Sequence, residues 1–204
     1  ADQSARAQQA GVPPWLLVTL LSLAGIGCCV AMSMPQVHIV ALCAELGYGP
    51  AVGAEMLSLM LLGGVASRLV SGVIADRLGG VLTLLIGSTL QCLALVLYLT
   101  ADGLTSLYVI SLVFGLSQGG IVPSYAIIVR EYLPPRLAGS LVGLVIMVTI
   151  LGMALGGWLS GLIFDLSGSY DLAFWNGIFF NLINMALIGF IWLRSRPQGL
   201  GAPA

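Results

Sequence analysis

"GGVASRLVSGVIADRLGG", residues 63–80, holds Arg68, Asp76 and Arg77 within ten positions of a chain in which only 7% of residues are charged. Arg68 stands inside an otherwise apolar run, and Asp76 and Arg77 lie near its end. What surrounds the stretch decides how it folds. The 204 residues are 59% hydrophobic, with a mean hydropathy of +1.07 and no lysine. Soluble domains carry roughly 25% charged residues, so this composition cannot cover a water-facing surface. Setting His38 aside, charges are absent from 7–44, 78–101, 103–129, 137–164 and 172–193. Each run exceeds the ~20 residues that cross a bilayer core as a helix. The stretch around 51–75 completes the set despite Arg68 and Glu55, which predicts an all-α membrane protein of six transmembrane helices.

Arginine placement orients these helices. Arg6 precedes the first span, Arg77 lies between the second and third, Arg130 and Arg136 between the fourth and fifth, and Arg194 and Arg196 after the sixth. The alternate loops carry Glu45, Asp102, Asp165 and Asp171 and no basic residue. Basic residues favour the cytoplasmic side, so both termini are expected there, with the chain integral to a plasma (inner) membrane. The first apolar run is too long for a signal-peptide core and no basic segment abuts it, so it is expected to be retained. The opening "ADQSARAQQAG" has no initiator Met and reads as a linker. The chain thus divides into a cytoplasmic linker (1–13), a transmembrane bundle (14–196) and a cytoplasmic tail (197–204).

An internal repeat lies inside the bundle. "SGVIADRLGG" (71–80) aligns with "SGLIFDLSGS" (160–169) at an offset of 89, matching Ser, Gly, Ile and Asp, so that Asp165 is the counterpart of Asp76. Pro35 and Pro123 recur at an offset of 88, each followed about ten residues later by Glu45 or Glu131. The units 14–100 and 103–194 each hold three spans. An odd number puts the two in opposite membrane orientation, the inverted-repeat arrangement that gives transporters two open faces. Glycines spaced by four (115/119, 139/143, 152/156, 157/161) leave flat helix faces for close packing. The fifth span is expected to offer such a face to Gly72, Ser71 and Gly64, and the bulkier third span and much of the sixth to face lipid.

Cys28, Cys29, Cys43 and Cys92 lie in apolar spans without C-x-x-C spacing or neighbouring ligands, which predicts buried thiols and no metal site. Phosphate-binding loops and nucleic-acid patches are absent, and no cofactor is expected.

"GVIADRLGG", Gly72 to Gly80, resembles the G-x-x-x-D-[RK]-x-G-[RK]-[RK] signature of the major facilitator superfamily, matching at Gly72, Asp76, Arg77 and Gly79. Gly80-Val81 replaces the usual basic pair, as in the second copy of the motif. The resemblance therefore implies helices seven to twelve of a twelve-helix transporter. The missing partner would be an N-terminal six-helix half or a second copy of this one. It also implies a cytoplasmic latch that breaks in one transport state. In that latch the carboxylate of Asp76 meets the helix N-terminus opened by Pro134-Pro135-Arg136, whose unpaired N–H groups and dipole favour an anion. Arg77, Arg130, Glu131 and Arg136 surround it. A solvated charged loop is the plainer alternative.

"PQVHIVALCAELG" (35–47) followed by "LSLMLLGGVASRLVSGVIADRLG" (57–79) is similar to the monocarboxylate and oxalate/formate branch of that superfamily. The likeness implies that Arg68 binds a substrate carboxylate. Two features of the branch are missing: the Asp that some members keep four residues before this arginine is Gly64 here, and there is no lysine in the chain.

Residue chemistry agrees with the arginine's role. Arg68 lies eight residues, or ~12 Å, from Asp76 along a helix, close to mid-bilayer. A charge there costs at least ~2.5–3.5 kcal/mol unless it faces a cavity or partner. Guanidinium offers bidentate donors that cannot deprotonate, which suits a carboxylate ligand. A structural ion pair or a snorkelling side chain is the alternative. His38, Gln118 and Tyr125 are the other candidate substrate contacts. His38 is equally compatible with a packing role, and Pro35 and Pro123 are candidate kinks.

These readings predict a secondary transporter of a small organic anion working by alternating access, and not an enzyme. The alternatives are transport of another solute, drug efflux, or a non-transporting scaffold. "GLSQG" (115–119) fits G-x-S-x-G but lies within a membrane helix. "WLSG" (158–161) faintly resembles rhomboid proteases, whose serine pairs with a histidine that the sixth span here lacks.

Overall fold

The computed structural model describes residues 12–101 and 103–195, folded as seven helices and no strand. They are α1 (Pro14–Glu45), α2 (Pro50–Leu78), α3 (Gly80–Leu99), α4 (Leu104–Gln118), α5 (Ile121–Tyr132), α6 (Pro135–Ser167) and α7 (Asp171–Ser195). Together α4 and α5 make one crossing, so six spans are long and apolar enough to traverse a bilayer. Arg6, Asp102, Arg196, the opening linker up to residue 11 and the tail lie outside the described residues.

Local chemistry explains the helix boundaries. Pro14, Pro50 and Pro135 occupy the first helical positions of α1, α2 and α6, where a missing N–H costs nothing. A single residue, Gly79 at φ 82°, ends α2 and starts α3. A side chain at such a φ is strained, which accounts for glycine at this place in the signature. At offset 89, Gly168 caps the end of α6 with φ 70°.

The fourth crossing breaks at Gly119-Gly120 between α4 and α5. Pro123 explains the place, because it has no N–H to offer the carbonyl of Gly119 four residues earlier. By contrast, α1 continues through Pro35.

Spans α1 and α4–α5 are the most buried, and α2 and α6 the least. The main packing pairs are α1 with α6, α7 and α2, α2 with α4, α3 with α7, α4 and α5, and α5 with α6. Exchanging residues 14–100 with 103–194 maps α1–α6 onto α2–α4, α1–α7 onto α3 with α4–α5, and α1–α2 onto α5–α6, so these pairs correspond between the two three-span units. Tyr98, Phe114 and Phe174 join α3, α4 and α7, with Tyr98 stacked on Phe174 at 5.1 Å between centroids.

The small-residue faces are used, but not by the expected partners. On α6, Gly152 and Gly156 press on the backbone of α1, not α2: a Cβ at Gly156 would lie 2.6 Å from Val30 Cα. On the fourth crossing, Gly119 and Gly120 meet Gly64 and Ser71 of α2. Gly72, Gly139 and Gly143 have no neighbour within 4 Å of a would-be Cβ, so the expected contact between Gly72 and the fifth span is absent from this arrangement. Nor is α3 simply a lipid-facing helix, since Leu84, Gln91, Ala94 and Leu95 are buried.

Cys28, Cys29 and Cys43 are buried, Cys92 is partly so, and all four are free thiols. Among the described residues no cluster of three or more ligating side chains could hold a metal.

Candidate functional site

Three elements line an open cavity of about 210 Å³. Met32 and Gln36 come from α1, and Leu61, Gly64, Val65 and Arg68 from α2. Gln118, Gly119 and Val122 come from the broken fourth crossing. The midpoint of α2 falls at Gly64, so Arg68 stands four residues, ~6 Å, from centre towards the Asp76 end. Its side chain is exposed and makes no ion pair or side-chain hydrogen bond with another described residue. Its spacing from Leu61, Gly64 and Val65 places all four on one face of α2, which explains how a run of apolar residues directs one cation into a cavity.

Gln118 is only 6% exposed, being held in the last turn of α4 just before the break. Its Oε1 accepts a hydrogen bond of 2.7 Å from Nε2 of Gln36. Gln36 is the site residue that the sequence reading did not single out. It adjoins Pro35, carries no charge, and its only signal is the cost of a carboxamide in an apolar span.

His38 and Tyr125 lie elsewhere. The Nε2 of His38 is 2.8 Å from the carbonyl oxygen of Gly157 on α6, and its Nδ1 is 3.4 Å from the hydroxyl of Tyr170. The histidine thus pins α1 to α6 near their C-terminal ends. Tyr170 also stacks on Phe164 at 4.3 Å, and burial first, then the carboxylates of Glu45 and Asp165, push its phenol above the usual range.

Tyr125 is fully buried and donates to Asn184 Oδ1 at 2.9 Å. In the same network Asn184 Nδ2 donates to Ser88 Oγ at 2.8 Å and to Asn181 Oδ1 at 3.3 Å, while Asn181 Nδ2 donates to the Ser88 carbonyl at 2.8 Å. These groups fasten α3, α5 and α7. Asn184→Leu strands the Tyr125 and Ser88 hydroxyls, and the expected destabilisation is about 1–3 kcal/mol. Thermal unfolding in detergent checks it, and a melting temperature equal to that of the unaltered protein would contradict the network's role.

The C-terminal end of α2 carries the signature residues. Asp76, Arg77, Arg130 and Arg136 are exposed, and among the described residues none of the four is held in an ion pair. Glu131 instead occupies the α2–α3 turn: both its carboxylate oxygens accept from the backbone N–H of Gly80, each at 3.2 Å. A carboxylate at the first N–H of α3 complements the positive end of that helix and ties α5 to it. An acid is therefore seated at a helix N-terminus here, but the acid is Glu131 and the helix α3. Asp165 lies exposed near the C-terminal end of α6.

Ser160, the serine of "WLSG", is fully buried with no hydrogen-bond partner for its hydroxyl among the described residues.

Comparison with known proteins agrees with this geometry. A sequence profile of the Major Facilitator Superfamily matches residues 17–204. Monocarboxylate transporter 13 of Rattus norvegicus is 29% identical over 172 residues, which are 79% of this chain and 40% of that protein. The hexuronate transporter of Bacillus subtilis (strain 168) is 31% identical over 134 residues, 62% of this chain and 30% of that protein. The 4-hydroxybenzoate transporter PcaK of Pseudomonas aeruginosa is 30% identical over 138 residues, 68% of this chain and 31% of its own length. The chain thus matches less than half of the length of each of these relatives.

Proposed function

The chain belongs to the major facilitator superfamily, and from that premise we propose that it is the C-terminal six-helix half of a secondary transporter for small organic anions. The single observation that carries this reading is Arg68, an unpaired guanidinium near mid-bilayer that opens on a cavity. A cation in that place is stabilised by an anionic ligand, and its planar fork matches a carboxylate in a bidentate fashion. Monocarboxylate, hexuronate and 4-hydroxybenzoate, the solutes named for the three relatives, share a carboxylate. Family and relatives point to transport and not catalysis.

In the whole transporter the other six-helix half closes the cavity, and the two halves rock about the bound anion. The latch comprises Gly72, Asp76, Arg77 and Gly79 of the signature with Arg130, Glu131 and Arg136. Both termini face the cytoplasm, and Asp165 belongs to the outer counterpart of the latch. Glu131 on the N-terminus of α3 is the contact that supports the latch. The exposed charges around it are free to pair across to the other half.

The test is uptake of radiolabelled monocarboxylates by proteoliposomes holding the complete transporter. Saturable uptake that other carboxylates compete away is the expected result. Transport of neutral or cationic solutes that carboxylates leave untouched would refute an anion site and favour efflux of another class.

A further inference from the structure

We propose that the paired carboxamides of Gln36 and Gln118 read a hydroxyl group on the transported anion, so that the cavity selects hydroxycarboxylates over their deoxy analogues. The inference deepens the anion-transport reading and rests on Arg68 as the carboxylate ligand.

A primary amide carries two N–H donors and a carbonyl with two lone pairs. The one bond between Gln36 Nε2 and Gln118 Oε1 leaves most of this capacity unused. Gln36 Oε1 and Gln118 Nε2 make no other hydrogen bond, yet neither is among the sealed polar atoms lacking a partner, which are Gln91 Oε1, Ser160 Oγ and Asn176 Nδ2. Both atoms are therefore accessible, and both residues line the cavity that Arg68 enters. Exchanging O and N in the two amides inverts the bond but leaves the same free complement of donor and acceptor.

The contrast with the bundle's packing amides is informative. Asn181 and Asn184 are fully buried, and each closes its amide on protein groups, namely Ser88, Tyr125 and one another. Gln91 joins α3 to α1 through its Nε2 on the Cys28 carbonyl and leaves its Oε1 unbonded, but that oxygen is sealed away from any ligand. Gln36 and Gln118 leave a carbonyl and an N–H open beside a cation.

A hydroxyl is the smallest group that answers both, donating to the carbonyl while accepting from the N–H. An ammonium group has no acceptor and is repelled by Arg68. A second carboxylate has no donor and would set its charge against the Gln36 carbonyl. A hydrogen in place of the hydroxyl desolvates both amides without replacing their bonds to water, which is the more expensive omission.

The test compares matched acids in proteoliposomes of the complete transporter: glycolate against acetate, and 4-hydroxybenzoate against benzoate. The two pairs bracket the separation between carboxylate and hydroxyl. The hydroxylated member of at least one pair is expected to be taken up roughly tenfold more efficiently, the worth of one well-placed hydrogen bond. Gln36→Leu and Gln118→Leu bring that ratio towards one by slowing the hydroxy acid, whereas Arg68→Gln depresses both members. The ratio in the unaltered protein needs no variant, so poor folding of either leucine variant leaves the proposal exposed. Equal uptake within both pairs, with both acids still dependent on Arg68, overturns the hydroxyl reading alone. Carboxylate uptake indifferent to Arg68 overturns the anion site with it.

Discussion

Arg68→Gln lowers carboxylate uptake roughly a hundredfold or more, since each charge-assisted hydrogen bond of a bidentate pair is worth about 1.5–3 kcal/mol. The same substitution leaves the fold intact. Arg68 is exposed in its cavity and bonds to no described side chain, so its removal strands no partner. A charge near mid-bilayer costs about 2.5–3.5 kcal/mol, and its loss is expected to hold the melting temperature steady or raise it. Loss of activity with unchanged or improved stability distinguishes a ligand from a structural ion pair, whose breakage would lower both. Arg68→Lys keeps the charge and gives up the fork, so it is expected to retain about a tenth of the uptake. Normal carboxylate transport by Arg68→Gln would show that the guanidinium only snorkels.

The number of crossings and the place of Arg68 midway along its span were legible because each reports on solvent. Long uncharged runs and a single cation within an apolar span are costs or gains that a residue meets whatever it packs against. Pairing between helices was not legible in the same way. A glycine spaced four residues from another announces a flat face without naming the helix that fills it. Gly152 and Gly156 found α1, Gly119 found α2, and Gly72 and Gly143 met nothing in this half.

The same distinction separates the site residues. His38 and Tyr125 are polar groups in apolar helices, as Gln118 is, but the Gly157 carbonyl and Asn184 satisfy them within the bundle. Which polar groups are satisfied depends on which helices touch. For that reason Gln36 was missed and Gln118 found. Pro123 was read as a kink, and the structure turns it into a break at Gly119-Gly120, where the proline has no N–H for the Gly119 carbonyl.

Gly156→Leu is expected to be the most damaging substitution to the fold, and Gly143→Leu thirteen residues earlier on the same helix nearly silent. At 156 even a Cβ would lie 2.6 Å from Val30 Cα and 2.7 Å from the Val30 carbonyl oxygen. The Ser33 hydroxyl lies nearer still and can swing aside, but these two atoms are backbone and cannot. They belong to α1, which is locked on its other side by α7 and by Asn184 close to Gly27. Overpacking of this kind costs about 3 kcal/mol. For a domain of this size that is a fall of roughly 6–12 °C in melting temperature, read by thermal unfolding in detergent. Gly143 has nothing within 4 Å of its would-be Cβ, so leucine there meets no backbone and removes a poor helix former. A change within about 2 °C is expected. Equal losses at the two positions would mean that α6 resists bulk everywhere and that the α1–α6 seam has no special standing. A loss confined to 156 locates the rigid seam of this half along α1. It leaves the uncovered face at Gly139 and Gly143 as surface that can change neighbours without disturbing the bundle, as a helix in a rocking transporter must.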